Sequence, residues 1–191
     1  MKTFLGLLPL ILGVPSYAYY LHSVVKRKTV PHMYSWLIWA VLAGISFIAQ
    51  VKGNAGPGAW NTGFTAVVCF AVFLISIKYG ERKLNRADVS LLIMALLAII
   101  ALLLIDNAVI AVLLTTVAAS IGFTFTLKKA YHHPLEENRT TFFLNSLRNL
   151  ISLFALNSIS FVTFFYPFCM MVANFSVVAT ILARTKGIKK P

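Results

Sequence analysis

The chain reads as an all-α polytopic membrane protein with seven transmembrane helices, on three observations: its composition, the lengths of its apolar runs and the placement of its Lys and Arg residues. Of its 191 residues, 59% are hydrophobic and only 12% are charged, and its mean hydropathy of +0.83 lies well outside the range of soluble globular domains. A hydrocarbon core of roughly 30 Å takes about 20 apolar residues per helix, so seven spans consume roughly 140 residues and leave no room for a separate soluble domain. Backbone groups in lipid must be satisfied internally, and the apolar runs lack the alternation of barrel strands, so the spans are expected to be helices.

Span 1 is expected over residues 3 to 21 and span 2 over 33 to 50, separated by the basic stretch His22 to His32 with Lys26, Arg27 and Lys28. The N-terminal Met1-Lys2 and its apolar run have the look of a signal peptide. However, Pro9 and Pro15 interrupt the run and no small-x-small cleavage site follows, so it is kept as a span. The turn-rich Gly53-Asn54-Ala55-Gly56-Pro57-Gly58 precedes span 3, over 60 to 79. A second basic connection covers 80 to 87. The apolar stretch from Val89 to Leu127 is about twice the membrane thickness as one helix and must fold back. Asp106-Asn107 is its turn dipeptide, giving span 4 over 88 to 105 and span 5 over 108 to 127, with Asp106 expected to cap the hairpin. The run from Thr141 to Ala183 is again too long for one span and weakens at Asn157-Ser158, giving spans 6 and 7.

Orientation follows from the basic residues. The connections after spans 1, 3 and 5 and the C-terminal tail hold three, four, three and four of the 17 Lys and Arg residues, while the other side has only Lys2 and Lys52. The positive-inside rule then puts the N-terminus outside and the C-terminus in the cytoplasm. The net charge of +12 is a topology signal that brings anionic lipid head groups to the basic loops; no nucleic acid is expected as a partner. Cys69 and Cys169 lie in apolar stretches without metal-ligand spacing and read as buried thiols.

Spans 1 to 3 and 5 to 7 look like two copies of one unit, with span 4 as the linker that lets both copies run in the same direction. At an offset of 109 residues Gly13-Val-Pro-Ser-Tyr aligns with Gly122-Phe-Thr-Phe-Thr, Lys28 falls close to Glu137, Trp36 to Asn145 and Trp39 to Arg148. The organisation is therefore a first three-helix repeat over 1–79, a loop and linker helix over 80–106, a second repeat over 107–185, and a tail over 186–191. The stretch from Pro15 to Trp39, Pro-Ser-Tyr-Ala-Tyr-Tyr-Leu-His-Ser-Val-Val-Lys-Arg-Lys-Thr-Val-Pro-His-Met-Tyr-Ser-Trp-Leu-Ile-Trp, resembles the PQ-loop motif of the SWEET and PQ-loop transporter superfamily. Ser16 stands where that motif has Gln, and the second copy has Thr124-Phe125 in place of Pro-Gln. The second-copy segment from Gly122 to Glu137 also looks like bacterial members of the group. The resemblance implies a three-plus-one-plus-three bundle around a central path, in a bacterial inner (plasma) membrane. Members include sugar facilitators, amino-acid exporters and receptors that carry no solute, so fold alone does not settle function.

Span 6 places Asn145, Arg148, Asn149 and Ser152 on one helix face. An Arg near the bilayer centre costs at least roughly 2.5 kcal/mol, so this stripe should face protein or a water-filled cavity. There Arg148 would attract an anionic group while Asn145 and Asn149 bind a polar solute. The competing reading has Arg148 snorkel to lipid phosphate or pair with Glu136 or Glu137. Trp36 and Trp39, one turn apart on span 2, are either a stacking surface in the same cavity or an interfacial aromatic belt, the reading given also to Trp60, Asn61, Tyr17, Tyr19 and Tyr20. The resemblance implies a substrate-contacting Asn on the third span of each unit, a role Asn174 matches in the second unit. Pro15 and Pro167, with Pro9, are candidate hinges.

His132-His133 with Glu136-Glu137 reads as a solvated charged loop, so no metal and no cofactor is expected. No phosphate-binding loop, nucleophile elbow or pair of catalytic carboxylates appears, which argues against an enzyme. The expectation is a transporter, facilitator or exporter, of a small polar and anionic or neutral solute. The alternative is a non-transporting membrane receptor or interaction protein of the same fold. A homo-oligomer is left open.

Overall fold

A computed structural model describes residues 1–27, 30–136 and 138–185, apart from the side chains of Ser16 and Glu136. Lys28, Glu137 and the tail 186–191 lie outside the described residues, so the alignment of Lys28 with Glu137 and the tail's basic residues do too. Among the described residues there are seven α-helices: α1 (Lys2–Val25), α2 (Met33–Lys52), α3 (Trp60–Tyr79), α4 (Arg86–Leu103), α5 (Ala108–His132), α6 (Arg139–Phe154) and α7 (Phe161–Thr185). Short 3-10 turns, Gly56–Ala59 and Pro134–Glu136, precede α3 and α6.

Six of these helices are long and apolar enough to cross a membrane. The exception is α6, whose 16 residues reach about 24 Å at 1.5 Å per residue. Its polar stripe also lowers its apolarity below that of the other helices. The seven-span expectation is thereby reduced to six helices that meet the length and composition of a span, and a seventh that does not.

The breaks fall where the turn chemistry places them. Asn107 accepts a hydrogen bond from the Ile110 amide and starts α5. Asp106 is therefore not the cap. It takes a left-handed conformation, φ 53°, which Asp tolerates better than most residues, and its carboxylate receives Lys52 at the end of α2. Asn85 and Asp88 form a reciprocal capping box at the start of α4, and Asn138 caps α6. Pro9 and Pro15 sit inside a continuous α1, and Pro167 inside a continuous α7.

Helix ends meet alternately. His32 and Glu81 pair through backbone bonds between Pro31–Met33 and Glu81, and Arg184 Nε donates to the Tyr131 carbonyl. These contacts gather the ends carrying the basic connections. At the other end Lys2 Nζ donates to the Leu156 carbonyl, and Lys52 meets Asp106. In order of packing, α3 lies between α1 and α2, and α7 lies between α5 and α6. Contacts of α1 with α6 and of α2 with α5 close these six helices into a ring, and α4 packs outside against α2 and α5.

The packing surfaces are rich in small residues, as expected where lipid removes the hydrophobic drive between helices. Ala95, Ala98 and Ala101 of α4 and Ala111, Ala118 and Ala119 of α5 are buried in one cluster with Ile38, Leu42 and Ile45 of α2. Ser46 Oγ donates to Thr115 Oγ1 at 2.9 Å across the α2–α5 contact.

Candidate functional site

The helix ring encloses a cavity of about 1530 Å³. On one side its lining runs out to Ser23, His32, Ser35, Asp88, Lys129 and Asn138, the end where the basic connections cluster. On the other side it stops at Ile11, Leu42, Asn61 and Asn149. Beyond that limit the ring is sealed. The Gly56–Ala59 turn packs against α1, α2 and α6, and a Cβ on Gly6 would come within 2.6 Å of Pro57, one on Gly58 within 2.5 Å of Leu156. Ala55, Ala59 and Leu156 form a buried apolar plug there.

Arg148 is the charge at the closed end of this cavity. It is only 2% exposed, and it lies nine residues into α6, roughly 13 Å from the basic end. Its Nε donates to the Pro9 carbonyl of α1 at 2.9 Å and its Nη1 to Asn145 Oδ1 at 3.2 Å. Tyr17 and Phe64 place their rings 5.4 and 5.3 Å from the guanidinium carbon, close enough for cation–π attraction. This is not a snorkelling side chain. Among the described residues no carboxylate comes within ion-pair distance of it; Glu137 and the side chain of Glu136, the other expected partners, lie outside those residues. A buried cation normally has a paired anion because desolvation costs several kcal/mol, and here two acceptors and two rings stand in for one.

The space for this guanidinium comes from Gly13. A Cβ there would lie 2.8 Å from the Arg148 Cζ and 2.7 Å from Phe64. The opposite helix contact repeats the arrangement: Gly122 of α5 faces Trp39 of α2, whose ring would be 3.2 Å from an added Cβ. Gly13 with Gly122, and Trp39 with Arg148, are the pairs related by the 109-residue offset. Helices α1 and α5 thus each carry a glycine that admits a side chain, Arg148 of α6 and Trp39 of α2 respectively.

The remaining expected residues fall around the same space. Asn145, Asn149, Asn174, Trp36, Trp39 and Pro15 all line the cavity. Asn149 Nδ2 donates to the Asn145 carbonyl, and its Oδ1 accepts from Asn61 Nδ2 at 3.3 Å. Asn174 Nδ2 donates to the Met170 carbonyl. Trp36 stands 5.1 Å from the Tyr20 ring and Trp39 makes an edge contact with Phe123 at 5.4 Å, so both tryptophans pack against neighbouring helices at the cavity wall. Pro167 is buried in α7 and is not part of the lining.

Of the residues given a belt reading, Asn61, Tyr17, Tyr19 and Tyr20 all line the cavity, and the first two belong to its closed end. Asn61 is 3% exposed because the 3-10 turn covers the start of α3, and Tyr17 covers Arg148. The sequence does carry a signal for the first: Asn61, Thr62, Thr65 and Cys69 recur at helical spacing along α3, and all four line the cavity. Tyr17 lies four residues after Gly13 on the same face. No metal-ligating group of three or more His, Cys, Asp or Glu occurs among the described residues. No family model, curated protein or solved structure matches the chain.

Proposed function

We propose that the chain is a membrane transporter of the PQ-loop/SWEET type that moves a small polar, anionic solute by alternating access between two three-helix units. In this reading the protein spans the bilayer seven times, N-terminus outside and C-terminus cytoplasmic. The units are α1–α3 and α5–α7, with α4 as linker. The observation that carries the reading is a largely apolar cavity with a few convergent polar side chains, sealed at one end and running out to the basic end, with a buried Arg148 at its closed end that no carboxylate pairs among the described residues. A receptor that only recruits partners to its loops has no use for such a cavity.

Support for two units comes from the equivalent packing order in each and from the reciprocal Gly13–Arg148 and Gly122–Trp39 contacts. Although short, α6 has its polar stripe turned into the ring, with Ser146, Arg148 and Ser152 buried, so lipid meets its apolar side. In the alternating-access cycle the solute enters from the basic side, is held between the Asn–Arg stripe and the tryptophans, and leaves when the units rock and part the plug at Pro57 and Leu156. Anionic lipid head groups at the basic loops would hold the orientation.

A thermal-shift screen of the purified protein against sugars, amino acids, organic acids and nucleosides tests this. A solute at one hundred times its Kd stabilises by about 2.7 kcal/mol, and the gain should vanish in Arg148→Ala or Asn145→Ala. Counterflow in proteoliposomes should then accept the same solute. Absence of stabilisation by every class, with no counterflow, would falsify the transporter reading.

A further inference from the structure

Among the described residues, three buried polar atoms have no hydrogen-bond partner: Arg148 Nη2, Asn61 Oδ1 and Asn174 Oδ1. All three residues line the cavity. The two amides cannot simply be turned over, because backbone carbonyls fix them. Asn149 Nδ2 is held by the Asn145 carbonyl, so its Oδ1 faces Asn61, whose Nδ2 must answer it; the Asn61 oxygen is left free. The Met170 carbonyl fixes Asn174 in the same manner. The site therefore holds one cationic donor and two acceptors just beneath the cavity surface, which a solute meets once these side chains turn toward it, and a buried polar group without a partner is expensive.

A complementary solute must bring an acceptor for Arg148 and at least two donors for the asparagines. Charge narrows it further. Arg148 has no carboxylate within ion-pair distance among the described residues, so a solute of net charge −1 neutralises the site while a neutral sugar or a zwitterion does not. Donors that leave that net charge intact are hydroxyls rather than an ammonium group. Geometry sets the length. Asn61 lies level with Asn149, whereas Ser146 bonds to the Met171 carbonyl, which puts Asn174 nearly a turn closer to the basic end. The two acceptors thus stand roughly 9 Å apart along the ring axis at 1.5 Å per residue, a span that about six carbons with a hydrogen bond at each end can bridge.

We propose that the solute is a hydroxylated monocarboxylate, a hydroxy or sugar acid, whose carboxylate meets Arg148 Nη2 and whose hydroxyls donate to Asn61 and Asn174. The assignment rests on the transporter reading and names its substrate class. Tyr17 and Phe64 pack over the guanidinium, so the carboxylate approaches in its plane, where directional N–H···O bonds form best.

Calorimetry on the full-length protein with a matched series tests it: D-gluconate, hexanoate, D-glucose and 6-aminohexanoate. Gluconate should bind at least about tenfold more tightly than each of the others, the difference of one good polar contact. Asn61→Leu or Asn174→Leu should erase its advantage over hexanoate, and Arg148→Gln its advantage over glucose. The unmodified protein already decides the matter if a variant does not fold. Glucose equal to gluconate overturns the charge assignment, hexanoate equal overturns the donor requirement, and 6-aminohexanoate equal overturns hydroxyl over ammonium. In those three cases, or if another solute binds and none of these does, the class fails while the transporter reading stands. Binding by no solute at all fails both.

Discussion

Gly13 is the residue on which the geometry of the cavity's closed end turns. Alanine at a helix interior is usually better than glycine by about 1 kcal/mol, and a new methyl here would meet the Arg148 guanidinium carbon at 2.8 Å and the Phe64 ring at 2.7 Å. The end of an arginine moves more easily than helix backbone, so the side chain gives way. Gly13→Ala should therefore push Arg148 off the Pro9 carbonyl and crowd Phe64, and the helix-propensity gain of about 1 kcal/mol does not offset a buried guanidinium that has lost an acceptor, so the variant should fold with reduced stability. The measurement is paired: the melting temperature of the free protein should fall, and the organic acid that binds the unmodified protein should bind the folded variant at least tenfold more weakly. Gly122→Ala is the internal control, since its methyl would touch Trp39 only at 3.2 Å and Arg148 stays seated. An equal loss in both variants would contradict a guanidinium-specific effect. Arg148 itself was legible in the sequence, as the one cation left over by the charge count. Its supports, Gly13, Tyr17 and Phe64, were not, because all lie on other helices and a periodic pattern does not say which face meets which.

At the level of the helices, most boundaries could be read from apolar length and turn chemistry, and the misreadings have local causes. The Asp106-Asn107 pair does break the long apolar stretch, but the work is divided: Asn107 caps α5 while Asp106 adopts the left-handed turn. The freed Asp106 carboxylate accepts from Lys52, and this hydrogen bond, with the charge of the same ammonium, holds its pKa below the ordinary carboxylate value. The sign follows. A carboxyl depressed in the folded state contributes stability that is present above its unfolded pKa, near 3.9, and is lost as pH falls through the folded value. Lys52→Met should return Asp106 to the ordinary range, seen as an upward shift of its side-chain carbon titration by NMR; an unchanged titration would place the cause elsewhere. The pair is exposed, so its effect on stability at neutral pH should be small. The start of α3 was the other misreading. Asn61 follows a turn containing Pro57 and stands at the edge of an apolar run, the usual place for an interfacial residue, but the Gly56–Ala59 turn folds over it and makes it interior.

For the whole molecule, the ring order puts two like contacts on opposite sides, α1 with α6 and α2 with α5, each seated on one glycine. In the proposed alternating-access cycle, a rocking motion about such a pair of contacts would open one end as it closes the other, with both contacts, at about mid-length of their helices, as its fulcrums. The 109-residue offset in the sequence pointed to a repeat but not to the closed ring, since the contacts that close it join residues with no local pattern in common. One native probe reports on the state of the cavity. Cys69 lines it at mid-helix, while Cys169 does not. With Cys169→Ser as background, a small membrane-impermeant methanethiosulfonate should modify Cys69 slowly, because the thiol is buried, and from the side of the basic loops rather than the side of Lys52 and Asp106, which the Pro57 and Leu156 plug seals. In sealed vesicles of known orientation, this means labelling in inside-out preparations and protection in right-side-out ones. A bound solute should slow the reaction by occupying the path. Cys69→Ser should remove the labelling altogether, which assigns the signal to that thiol. Equal labelling from both faces would mean an open channel, and labelling only from the opposite face would invert the proposed orientation.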